Sequence, residues 1–179
     1  MVRLFFALEC PGLNVKKLPS DYILEKSSDY HITIAFLGER SDPYFEAQRI
    51  AEVCDGKLPL ELEYQKLGAF QKPSNARVLW VGVKSSGINA LASEVRLISE
   101  SEDRSFLPHI TISRFKRQTN LESLVSQHAD TKFGRGVASR SRRVLGPFLA
   151  REFNLYEPFS GRFARCGFQR GHAVRNQSP

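Results

Sequence analysis

The tetrapeptide His-Ile-Thr-Ile occurs twice, at residues 31–34 and again at 109–112, 78 positions apart. That spacing is too long for a solenoid repeat, whose period is about 20–50 residues. It points instead to two related lobes that each contribute one strand. Successive side chains on a strand point to opposite faces, so His31 and Thr33 share one face while Ile32 and Ile34 share the other. His109, Thr111, Ile110 and Ile112 repeat the pattern. Each isoleucine pair anchors its strand in a core and leaves an imidazole and a hydroxyl about 7 Å apart along the backbone. If the two lobes face each other, two imidazoles and two hydroxyls meet in one cleft.

The rest of the chain reads as alternating strands and helices. Strands are expected over Arg3–Leu8, Tyr30–Leu37, Leu58–Tyr64, Arg77–Val83, Pro108–Arg114 and Glu152–Tyr156. Leu58, Leu60, Leu62 and Tyr64 alternate with Glu61 and Glu63, the period-two signature of one buried face. Asp42 and Pro43 read as an N-cap and first helical position ahead of Ala47, Ile50, Ala51 and Cys54. Ile88, Leu91, Ala92 and Val95 repeat the helical spacing. Thr119 and Glu122 have the spacing of a capping box before Leu121, Leu124 and Val125. Strands adjoin one another as often as helices separate them, which favours an α+β fold with a mostly antiparallel sheet. With 179 residues, a single domain of two lobes over residues 1–170 is expected, followed by a flexible tail over 171–179.

Hydrophobic residues at 41% and charged residues at 25% exclude a disordered chain. No apolar run has the length to span a bilayer. The first apolar stretch is too short for a signal peptide and meets Glu9 at once, so a cytoplasmic monomer with no membrane partner is expected. Cys10, Cys54 and Cys166 form no CxxC pair, which argues against a disulfide framework and a structural zinc site. The net charge of +7 is concentrated at one end: residues 132–179 hold ten Lys or Arg against Glu152 and Glu157. Such an arginine-rich segment attracts phosphate polyanions, although a solvated basic surface has the same composition.

One histidine on a strand face is ordinarily a structural residue. Two identical copies, each in an apolar strand, point to chemistry, and the pattern fits in-line attack on a strained cyclic phosphate. One imidazole takes a proton from water and the other gives a proton to the leaving ribose oxygen, since a pKa near 6.5 lets a neutral and a charged ring coexist. The threonine hydroxyls donate to non-bridging phosphate oxygens. No metal or other cofactor is needed for this, and a zinc site built on both histidines would lack a third ligand at the partner positions. His128 and His172 stand in no comparable setting: the first reads as the end of a short helix, the second as tail.

The segments His31-Ile-Thr-Ile-Ala-Phe-Leu-Gly38 and Phe106-Leu-Pro-His109-Ile-Thr-Ile-Ser-Arg114 resemble the two signature motifs of the 2H phosphoesterases, in particular the RNA 2′,3′-cyclic phosphodiesterases also called 2′-5′ RNA ligases. Arg3–Leu8, Arg77–Val83 and Glu152–Tyr156 are similar to further family segments in the expected order, so the resemblance runs from residue 3 to about residue 168. It implies a bilobal, pseudo-symmetric fold with both motifs lining a central groove and helices outside. It also implies His31 as general acid, His109 as general base, Thr33, Thr111 and Arg114 on the phosphate, and Phe36 near the base. The expected reaction is hydrolysis of an RNA or nucleotide 2′,3′-cyclic phosphate to a 2′-phosphate. The rivals are 2′-5′ ligation by the same site and a non-catalytic basic RNA-binding module. Two positions resist the simple pattern. Strict alternation puts Arg114 with the isoleucines unless the strand bends, and a phenylalanine at 36 in an apolar strand reads as core. The stretch between the first strand and His31 also departs from the family pattern, because Pro11, Gly12 and Pro19 leave little room for the helix usual there. Arg135, Arg140, Arg142 and Arg143 are expected either to touch substrate or to form a mobile basic loop.

Overall fold

The computed structural model describes residues 2–24, 30–99, 105–139 and 141–144, with side chains described over 4–24, 30–99 and 105–139. Its elements are β1 (Val2–Leu8), β2 (Ile32–Arg40), α1 (Pro43–Cys54), β3 (Leu60–Phe70), β4 (Ala76–Lys84), α2 (Ile88–Ser99), β5 (His109–Thr119), α3 (Glu122–Gln127), β6 (Lys132–Ala138) and β7 (Ser141–Val144). The strands form one antiparallel sheet in the order β6-β3-β4-β5-β2-β1-β7. Both motif strands lie side by side in it. Between them the described ladder contains a single register pair, Ile32 with Ile110, so the sheet divides there into a four-stranded and a three-stranded lobe. β6 and β7 stand at opposite ends of the order, yet only three peptide steps separate Ala138 from Ser141, a reach of at most about 11 Å. The sheet must therefore curl until its two ends approach each other.

Helix and sheet are joined by one hydrophobic cluster. Ala47, Ile50 and Cys54 of α1 and Ile88, Leu91, Ala92 and Val95 of α2 are buried in it with Ile32, Ile34, Leu37, Ile110 and Ile112. The helical spacing of the sequence thus identifies the faces that pack. Asp42 caps α1 as its position suggests, its carboxylate accepting from the backbone N–H of Tyr44 and Phe45. A buried carboxylate, Glu46, ties the far end of β2 to α1: it lies 3.1 Å from Arg40 and 3.8 Å from Arg49, and both guanidinium groups also donate to carbonyls at the end of α2.

Three expectations need correction. Thr119 does not cap α3, because it is still paired in β5 with Ala76; the side chain of Asn120 accepts from the Glu122 N–H instead. β3 starts after the Leu58–Pro59 bond and runs to Phe70, six residues past the expected end. Of the arginine-rich stretch, Arg135, Arg142 and Arg143 lie in strands rather than in a loop, and Arg140 lies outside the described residues. Arg135 lies in β6, where it and Lys132 pair with Glu63, and the backbone of Arg142 pairs with Ala7 in β7. Glycines hid β6 from the sequence reading: Gly134 has φ +136°, and the segment entering from β1 lies directly against this strand, with Asn14 N–H donating to the Phe133 carbonyl at 2.7 Å. A Cβ on Gly12 (φ +75°) would stand 1.9 Å from the Arg135 carbonyl oxygen. That close approach covers the outer edge of β6, which would otherwise offer unpaired backbone groups. Between β1 and β2 the described chain forms short 3₁₀ turns at Val15–Lys17 and Ser20–Tyr22 rather than a full helix, as the prolines foretold. The expected strand at Glu152–Tyr156, Cys166, His172 and the tail lie outside the described residues.

Ile32 and Ile110 are fully buried at the junction of the lobes. Ile32→Ala or Ile110→Ala is expected to lower unfolding stability by about 2–5 kcal/mol, measured by urea titration. An unchanged midpoint in both variants would refute the junction as a packed core.

Candidate active site

Antiparallel pairing of Ile32 with Ile110 fixes what lies around it. Continued one step each way, the register sets Thr111 across from His31 and His109 across from Thr33, about a two-fold axis through the isoleucine pair. All four side chains occupy the face opposite the isoleucines. Each is half-buried, so none is lost in the core and none is wholly in solvent.

A second symmetry lies in two irregularities. In the β1–β2 ladder, Ala7 faces Thr33 but Phe6 faces Ala35, so Ile34 is an extra residue. In the β4–β5 ladder, Trp80 faces Thr111 but Leu79 faces Ser113, so Ile112 is the extra residue. A bulge inserts one residue and reverses the alternation beyond it. Ala35 and Ser113 thereby turn to the core, and the residues after them return to the histidine face. Phe36 faces Phe5, and Arg114 faces Val78, both on the same side as the motif pairs. This resolves the difficulty with Arg114. It also overturns the reading of Phe36 as core, since the residue is 71% exposed. Ser113, now buried, donates to the Tyr22 carbonyl and accepts from the Leu24 N–H, fastening the segment before the first motif to the second.

The two imidazoles have different surroundings. His31 lies beside Phe5, with ring centroids 5.2 Å apart, and Phe5 in turn lies 6.1 Å from Phe36. His109 is enclosed by Phe70, edge-to-face at 4.7 Å, and by Trp80 at 6.2 Å. Trp80 fits there because its cross-strand neighbour is Gly68, where a Cβ would come within 2.1 Å of the indole. This enclosure disfavours the charged imidazole, and with positive charge on Arg114 and His31 it holds the His109 pKa below its ordinary value, against a raising contribution from the backbone at Leu107. That backbone group is the Leu107 carbonyl, 2.7 Å from Nδ1. A hydrogen bond donated by Nδ1–H leaves Nε2 as the acceptor of a neutral ring. Phe5, Phe70 and Trp80 were not singled out from the sequence. No spacing links them to a histidine, and only the pairing of strands brings them near. Among the described residues no group of three or more His, Cys, Asp or Glu is arranged to hold a metal ion.

An open, curled antiparallel sheet with a duplicated His-x-Thr on its two central strands is the fold of the 2H phosphoesterases. The chain belongs to the 2′-5′ RNA ligase superfamily, whose family model matches residues 24–141. It is 32% identical over 144 residues, 74% of this chain and 80% of the relative, to a protein of Aeropyrum pernix named RNA 2′,3′-cyclic phosphodiesterase. It is 25% identical over 153 residues, 74% of this chain and 84% of the relative, to one of the same name from Methanocaldococcus jannaschii. Among solved structures, apo LigT of E. coli shares the fold with a TM-score of 0.56 at 22% identity, covering 79% of this chain and 85% of that one.

The enclosure of His109 predicts a ring titration midpoint below the value of about 6.5 for a free imidazole. Phe70→Ala admits water and should move the midpoint upward, as read by NMR of the imidazole protons. A midpoint that stays put on opening the wall would show that Phe70 does not desolvate the ring.

Proposed function

We propose that this chain hydrolyses 2′,3′-cyclic phosphate ends of RNA or nucleotides to 2′-phosphates, with His109 as general base and His31 as general acid. The observation that carries this reading is the antiparallel register that sets both His-x-Thr pairs on one face around a common axis. The relatives named RNA 2′,3′-cyclic phosphodiesterase support the substrate class.

In the proposed step, water lies against Nε2 of His109, which is free to accept because Nδ1 is engaged by the Leu107 carbonyl. As the water oxygen bonds to phosphorus, its proton passes to Nε2. The P–O3′ bond breaks on the opposite side, and a proton from the His31 imidazolium goes to O3′. One proton is taken up and one released, so the ring opens with no net change in the pair. Thr33 and Thr111 donate to the non-bridging oxygens, and Arg114 adds positive charge where charge builds up in the transition state. Phe36, exposed next to Phe5, offers a flat apolar surface to the base. Lowering the His109 pKa serves this division of labour, because the base must be neutral when the substrate binds. The description of the superfamily favours a second outcome at the same site, in which an RNA 5′-hydroxyl replaces water and a 2′-5′ bond forms; analysis of products separates the two.

Turnover of a cyclic-phosphate RNA in EDTA is expected to fall at least 10²–10⁴-fold in His31→Ala and in His109→Ala, and full activity in either variant would rule the mechanism out. The acidic limb of kcat/KM should follow the His109 pKa: activity persists below pH 6.5 and falls as pH drops through the lowered value. In Phe70→Ala the same limb should shift to higher pH.

A further inference from the structure

β5 contains a further irregularity, beyond the motif. From Arg114 to Thr119 it advances five residues, while its partner β4 advances only two, from Val78 to Ala76. The three surplus residues bow outward within 115–118, where Lys116, Arg117 and Gln118 are all exposed. No acid occurs between residues 105 and 121. Arg77 is exposed on the facing stretch of β4, and Lys72 is exposed in the turn that precedes it. None of Lys72, Arg77, Lys116 and Arg117 forms an ion pair among the described residues. Unbalanced cations gathered at one end of a sheet repel one another and gain most from a polyanion. Exposed lysines alone would make only a solvated face. These begin two residues after Arg114, whose charge is felt at His109, and Arg117 lies at most about 11 Å further along the chain.

We propose that the bowed segment of β5, with Lys116 and Arg117, holds the phosphodiester backbone of an RNA chain as it leaves the histidine pair past Arg114. The preferred substrate is accordingly an oligonucleotide rather than a mononucleotide. The inference rests on the proposed function for the position of the cyclic end and adds the direction of the chain: base at the Phe36 end of the face, backbone at the Arg114 end. A 2′,3′-cyclic mononucleotide carries its single phosphate at the histidines and has none to offer Lys116 or Arg117.

The test compares the full chain with the double variant Lys116→Gln/Arg117→Gln on 2′,3′-cyclic CMP and on a short RNA ending in a cyclic phosphate, as a function of salt. For the RNA, KM should rise about 10-fold at low salt, and the slope of log KM against log salt should fall by about 1.4, two single-strand phosphate contacts. Turnover of the mononucleotide should be retained, which also shows that the variant folds. Equal effects on both substrates, or none on either, would overturn the proposal. Fluorescence anisotropy with the same RNA ending in a 3′-hydroxyl reads the contact without chemistry. If neither substrate turns over, the proposed reaction fails, and the anisotropy still decides this inference: weaker binding by the variant upholds it and equal binding sinks it.

Discussion

The contact on which everything else depends is the pairing of two buried isoleucines, Ile32 and Ile110, across the centre of the sheet. The side-chain period of a strand is two, so a slip of one residue in either partner would turn a histidine and a threonine into the core and bring isoleucines to the surface. Burial of the isoleucines penalises that slip. The hydrophobic face thus specifies the polar one, and the polar residues contribute little to their own placement. Elsewhere the lobes are held by α1, α2 and the Glu46–Arg40–Arg49 cluster at the end of β2, away from the histidine face.

The pseudo-symmetry of the backbone goes further than the repeated tetrapeptide. Each motif strand bulges at the isoleucine after its threonine, and each bulge delivers the residue two positions on to the histidine face. Equivalent backbone sites then carry different groups, a phenylalanine in one lobe and an arginine in the other. The same scaffold can therefore present an apolar plane at one end and a cation at the other. The walls differ too. Phe5 adjoins His31, whereas Phe70 and Trp80 enclose His109, so two identical motifs sit in unlike dielectric settings. The proposed division into acid and base draws on that inequality, which comes from neighbouring strands rather than from the motifs.

The described residues between β1 and β2 have a structural role although they form only short 3₁₀ turns. Residues 12–14 cover the edge of β6, and Tyr22 and Leu24 are fastened by Ser113 to β5. Prolines and glycines make this close, irregular path possible where a helix would hold the chain away from the sheet.

Much was legible in the residues themselves. The alternation in His-Ile-Thr-Ile marked both strands and the shared face of each pair, the apolar spacing at 47–54 and 88–95 marked the two packed helices, and Asp42 marked the start of the first. These are local properties, dictated by the periods of strand and helix and by the chemistry of a cap. The bulges at Ile34 and Ile112, the exposure of Phe36, the aromatic walls of the histidines and the strands β6 and β7 were not legible. Each depends on which strand lies beside which and in what register, and Gly134 and Gly136 leave β6 with no side-chain alternation to read. Sequence alone determined which groups are available for chemistry; tertiary pairing decided which of them face one another, because register is set by the burial of distant isoleucines.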